Sequence, residues 1–284
     1  MAIRTLTSSP LAHAGGAKRT GRILILLLVL IVALLAEDRV EFVCPMDRDV
    51  RTQGPGKCPK CGMALVAGLP EPQEYPVDLK MSADGLLTFR MLQPRTGRPV
   101  THFLEVHEKL FHLFLVSKDL RYFAHEHPVM RPDGSFTYAS KLPGGGQYRL
   151  LCDFYPEGGT PQLVSKTIIL AGEPLPAPAR DANNIAVSMV TEPEKPIAGT
   201  KTMLFFKLDP ADGLQPYLGA WGHMLAASSD LIDMIHGHPA FGEGGSTIQF
   251  NVIFPRAGTH KVWVQFQRLG VVNTVEFNVP VSAL

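Results

Sequence analysis

The sequence predicts a mainly β protein: an N-terminal transmembrane helix, a small cysteine-bearing knuckle, then two tandem immunoglobulin-like β-sandwich domains. Three observations lead there. One uninterrupted apolar run lies near the N-terminus, short β-forming runs are punctuated by turn residues with no amphipathic helix among them, and a histidine-bearing stretch occurs twice. A chain of 284 residues, 45% hydrophobic, suits two domains plus accessories better than one large core.

The apolar run covers residues 23–36 and follows a segment, residues 1–22, that holds Arg4, Lys18, Arg19 and Arg22 and no acid. Its fourteen residues are short of the ~20 a spanning helix needs. A secretory signal is the rival reading, but Leu34 stands where its cleavage pattern wants a small residue. Both readings keep the basic flank in the cytoplasm and export everything after Glu37. The expected location is therefore the membrane, with the main part periplasmic on a bacterial inner membrane. Beyond residue 22 the balance is 23 basic against 26 acidic residues, which gives no nucleic-acid surface.

Prolines divide the exported part. Pro70, Pro72 and Pro76 form a first joint over residues 70–76, and Pro174, Pro176 and Pro178 a second over residues 173–182. The expected divisions are a cytoplasmic segment 1–22, an anchor or signal 23–37, a knuckle 38–69, and β domains 77–172 and 183–284. Strand-like runs fall at residues 86–91, 111–117, 147–154 and 163–170, then at 202–208, 247–254 and 261–266. His112 to Pro128 reads HLFLVSKDLRYFAHEHP and His223 to Pro239 reads HMLAASSDLIDMIHGHP, seven identities in seventeen without a gap. Looser likeness links Phe89-Arg90 to Phe206-Lys207 and Tyr148-Arg149 to His260-Lys261, so duplication of one β domain is the simplest account.

Cys58-Pro59-Lys60-Cys61-Gly62 has the form of a turn that aims two sulfurs at one ion, with Gly62 relieving the backbone. Cys44, also followed by proline, lies fourteen residues earlier. About thirty residues without a real core need a metal to hold them. A Cys58–Cys61 disulfide or a purely structural zinc ribbon remains the alternative, and Cys152, in an apolar strand, reads as a buried small side chain.

The stretch Cys44-Pro45-Met46 followed by Gly54-Pro55-Gly56-Lys57-Cys58-Pro59-Lys60-Cys61-Gly62-Met63 resembles the heavy-metal-binding domain attached to copper and silver P-type ATPases and to periplasmic metal-efflux subunits. The likeness covers residues 41–69. It implies Cys44, Cys58 and Cys61 as ligands, with Met46 and Met63 as soft partners and a metal efflux transporter or P-type ATPase as partner. Where the family usually has histidine the chain has Asp47, which leaves the fourth ligand open: an oxygen there favours zinc, a thioether Cu(I).

The repeated histidines read as two hairpins. A four-residue turn over residues 117–120 would set Val116 against Arg121 and His112 against His125, with His127 on the same face. The same count sets His223 against His236, with His238 alongside. Three imidazoles on one patch can hold copper or zinc. They can equally be core residues, since Phe114, Val116 and Phe123 share that face in the first repeat and Leu225 and Met234 in the second. The reading that unites these features is a non-enzymatic protein that sequesters or delivers a transition metal ion, copper first and zinc as alternative. Structural-zinc interaction module and metal-dependent enzyme are the rivals, and Glu126 is the one carboxylate within a histidine motif.

Overall fold

The computed structural model describes residues 42–44, 50–68, 73–180, 182–241 and 244–284. The expected cytoplasmic segment and the expected anchor or signal over residues 23–37 lie outside these, as do Met46 and Asp47. Among the described residues there is no helix, and none long and apolar enough to cross a membrane.

The described residues up to 68 belong to one compact unit and those from 73 onward to a second. In the first, β1 (Phe42–Val43) lies between β2 (Arg51–Thr52) and β3 (Val66–Ala67) in a small antiparallel sheet. Among the described residues its core is Cys44, Cys58 and Leu65, with Phe42 and Val50 against them. So few apolar side chains supply little hydrophobic stabilisation.

The named strands of the second unit pair antiparallel and form two similar copies. In the first copy, β4 (Val77–Met81), β5 (Leu86–Met91), β10 (Phe136–Ala139) and β9 (Val129–Met130) make one sheet. The other sheet runs β12 (Gln162–Leu170), β11 (Gly146–Pro156), β7 (Phe111–Ser117), β8 (Phe123–Glu126), with β6 (Phe103–Leu104) on the far end of β11. The second copy has β13 (Ala186–Glu192), β14 (Lys201–Asp209) and β18 (Thr247–Ile253) in one sheet. Its other sheet pairs β20 (Val271–Val281) with β19 (Gly258–Arg268), then β16 (His223–Ser228) and β17 (Met234–Gly237), and β15 (Leu214–Gln215) takes the place of β6. The expected β-sandwiches are present.

Each sandwich closes on its own core. Phe89, Phe111, Leu113, Leu115, Phe136 and Cys152 fill the first, and Phe206, Phe250, Phe254, Val262 and Phe266 the second. Cys152 is thus the buried side chain the sequence suggested, its thiol pushed up to about 12 by burial. A third core joins the copies: Phe114, Val116, Phe123 and Leu151 from the first pack with Leu225, Ala227, Leu231 and Trp263 from the second. Phe123 and Trp263 stack with centroids 5.1 Å apart and planes 7° from parallel.

This third core explains β7 and β16. Successive strand residues face opposite ways, so Phe111, Leu113 and Leu115 enter the first sandwich while His112, Phe114 and Val116 face the second copy. All but the last residue of β7 is buried and so is all of β16, because each is covered on both faces.

Candidate metal centres

The knuckle turn is held by Cys58 N–H donating to Met63 O and Gly62 N–H donating to Cys58 O, both at 2.8 Å. Gly62 sits at φ +73°, where a side chain would strain the backbone. Cys44 is placed at the end of β1, its N–H donating to Val50 O at 3.1 Å. Sγ of Cys44 and Sγ of Cys61 are 3.4 Å apart, far beyond the ~2.05 Å of a disulfide. All three sulfurs lie within 4.8 Å of one another. Thiolates about 2.3 Å from one tetrahedral ion stand ~3.8 Å apart, so the trio fits a soft or borderline metal. Met63, next to Gly62 in the turn, is 41% exposed.

The hairpin register differs from the expected one. Val116 pairs with Phe123 rather than Arg121, so His125 faces Phe114 and His112 extends to face His127. In the second copy Leu225 faces His236, two residues from the expected partner as well. The cause is the loop. Ser117 Oγ donates to Asp119 Oδ1 and accepts from Tyr122 N–H, Asp119 Oδ1 accepts from Arg121 N–H, and Leu120 takes φ +60°. Ser228, Asp230, Ile232, Asp233 and Leu231 repeat this geometry. These side-chain bonds draw residues 118–122 into the loop. A slip of two leaves every side chain on its face, so the histidines still converge.

His112, His125 and His127 form one group whose ligand atoms lie within 4.8 Å of one another, and His223, His236 and His238 form a second. Hydrogen bonds assign the protons. Val106 O and Tyr217 O can only accept, so His112 and His223 carry theirs on Nε2, each bond 2.9 Å long. Both Nδ1 atoms are left with lone pairs. The carbonyls come from matching tight turns, with positive φ at His107 and Glu108 in one and at Leu218 and Gly219 in the other.

The central histidine of each group is held by the other copy. His236 Nδ1–H donates to Asp153 Oδ2 at 2.6 Å, and His125 Nδ1–H to Gln265 Oε1 at 2.8 Å. Asp153 stands opposite His112 across β7 and β11, and Gln265 opposite His223 across β16 and β19. Each Nε2 is thereby left unprotonated. His112 Nδ1 is 3.1 Å from His125 Nε2 and 3.3 Å from His127 Nε2. Lone pairs of His112 and His125 therefore face each other, an arrangement that favours a cation between them. Nitrogens ~2.0 Å from one tetrahedral ion stand about 3.3 Å apart. In the second group His223 Nδ1, His236 Nε2 and His238 Nε2 are buried without a hydrogen-bond partner among the described residues. Burial holds His127 and His223 at about 3 and His238 at about 2, and pushes His125 well below the usual imidazole range. They are neutral and ready to coordinate at neutral pH.

Asp153, Gln265 and His107 were not among the residues the sequence singled out. The signal for the first two was a polar side chain inside an apolar strand, aligned by the duplication. His107 stacks on His238 of the other copy, centroids 3.7 Å apart. Glu126 points away from the group, as alternation along β8 requires, and its carboxyl, hydrogen-bonded with Tyr138, is raised by burial. His260 is buried beside Phe254 and His102 bonds Thr101, both apart from the two groups.

The chain matches the heavy metal binding domain over residues 42–67. A second family, described as a domain of unknown function (DUF8832), matches twice, over residues 74–169 and 181–283. No curated protein matches. Similar solved structures include the Escherichia coli adhesin FdeC, 14% identical over 77% of this chain and 67% of that one, with a TM-score of 0.25. A segment of two fibronectin type-III domains from chicken tenascin is 13% identical over 73% of this chain and 99% of that one, at 0.22. Two matches that together span well over half of the residues make the chain a member of the DUF8832 family, with a heavy metal binding domain ahead of its two copies.

Proposed function

We propose that this chain is a membrane-tethered, periplasmic protein that sequesters or delivers a transition metal, copper first and zinc as the alternative, without catalysing a reaction. The observation that carries the reading is the convergence of three cysteine sulfurs in a segment whose described residues hold only a small apolar core. Thiolates select Cu(I) and zinc, and imidazoles accept copper and zinc, so one metal suits all three groups. The heavy metal binding domain captures the ion, and the histidines of the β domains hold it for transfer to an efflux transporter or P-type ATPase. Glu126, turned away from the histidines, supports a binding role over hydrolysis.

Metal analysis of the full chain tests this. Cys58→Ser with Cys61→Ser should remove about one bound Cu(I) or Zn(II), and His125→Ala with His127→Ala about one more. Unchanged metal content in both would reject the proposal. A reporter enzyme active only outside the cytoplasm, fused after Leu284, should be active and sediment with membranes. An inactive fusion would reject export.

A further inference from the structure

We infer that the two histidine groups are one binuclear metal centre, built jointly by the two copies and unequal in strength, with the His223–His236–His238 group taking the first ion. The inference rests on reading these histidines as ligands.

The groups are neighbours. Ring centroids of His112 and His223 are 5.9 Å apart, those of His125 and His223 5.4 Å, and those of His112 and His236 5.8 Å. Neither copy can complete its group alone, because the bond that turns His236 comes from Asp153 of the first copy and the bond that turns His125 comes from Gln265 of the second. Such outer partners fix the ring and its tautomer, and losing one typically lowers metal affinity ~10- to 100-fold.

The exchange is not symmetric. Asp153 is a carboxylate and makes His236 a more basic ligand, whereas Gln265 is neutral and gives His125 orientation only. His107 adds a ring against His238, while Leu218 occupies the matching turn position in the other copy. The single carboxylate thus backs the second group. A second cation enters the first group against the charge of the ion already bound, so filling is stepwise.

Copper(II) is the probe, added to the full chain with Cys44, Cys58 and Cys61 changed to serine so that thiols do not reduce it. Those cysteines belong to the separate compact unit before residue 71. Calorimetry should resolve two ions, the first at least ~10-fold tighter. Paramagnetic resonance should give an isolated signal after one ion, then dipolar broadening and a half-field line after two. Asp153→Asn should weaken the first step ~10- to 100-fold, and Gln265→Glu should strengthen the second step and bring the two affinities together. Two equal, magnetically isolated ions that ignore both substitutions would overturn the inference and leave metal binding standing. Two ions retained after His236→Ala with His238→Ala would instead overturn the ligand assignment. If Asp153→Asn fails to fold, Gln265→Glu decides: an unchanged affinity ratio overturns the inference.

Discussion

Buried imidazoles with lone pairs turned toward one another are costly as neutral groups and worse as cations, and this sets a pH dependence. Free imidazole takes up a proton near 6.5. In the fold burial holds His127 and His223 at about 3 and His238 at about 2. Between those values and 6.5 the unfolded chain binds more protons than the folded one, so stability falls as pH falls. The stability is fully present above about 6.5 and is lost on acidification toward 3. The metal-free chain should therefore melt at a lower temperature at pH 5 than at pH 7.5, measured by circular dichroism. A midpoint that does not move would contradict the burial of these rings. The cysteines of the knuckle were legible at this scale because a ligand spacing is local. Asp153 and Gln265 were not, because each acts on a residue in the other copy.

The hairpin loops carry the clearest element-scale lesson. Ser117, Asp119 and Leu120 recur as Ser228, Asp230 and Leu231, and they are among the identities the two copies share. The Ser and Asp side-chain bonds lengthen the loop and move the register by two. Ser117→Ala removes a hydroxyl that accepts from Tyr122 N–H at 2.9 Å and also donates to Asp119. The change should cost about 1 to 2 kcal/mol in urea unfolding while metal content stays unchanged, since the histidines lie at the open end of the hairpin. Loss of bound metal in Ser117→Ala would mean that the loop, and not the third core, fixes the open end. Short strand runs such as Leu86–Met91 and Phe111–Ser117 were readable to the residue. The turn between β7 and β8 was not, because side-chain bonds within a loop decide its length.

At the scale of the molecule the third core makes one body of two sandwiches. Phe123 and Trp263 meet in it, and Lys118 Nζ donates to Asp230 O while Lys261 Nζ donates to Leu120 O, so a lysine from each copy reaches across to the loop of the other. Trp263 is fully buried, and Trp263→Ala should cost roughly 3 to 5 kcal/mol. It should also lower metal affinity at both histidine groups together, because it loosens the contact that sets Asp153 beside His236 and Gln265 beside His125. Titration of the full-length variant checks this, and two unaltered affinities would show that the groups do not depend on the interface.

By itself the sequence determined the β class, the duplication and the three cysteines, since strand alternation, repeat identity and ligand spacing are properties of neighbouring residues. It also brought each set of three histidines to one face, because the period of two survives a slip of two. Only the tertiary structure decided what that face meets. Phe114, Val116, Leu225 and Trp263 could have been the core of a separate domain or its surface, and burial against the other copy makes them an interface. That packing sets a carboxylate on one histidine group and an amide on the other. Contacts between residues more than eighty positions apart depend on the fit of two finished surfaces, which no local pattern encodes.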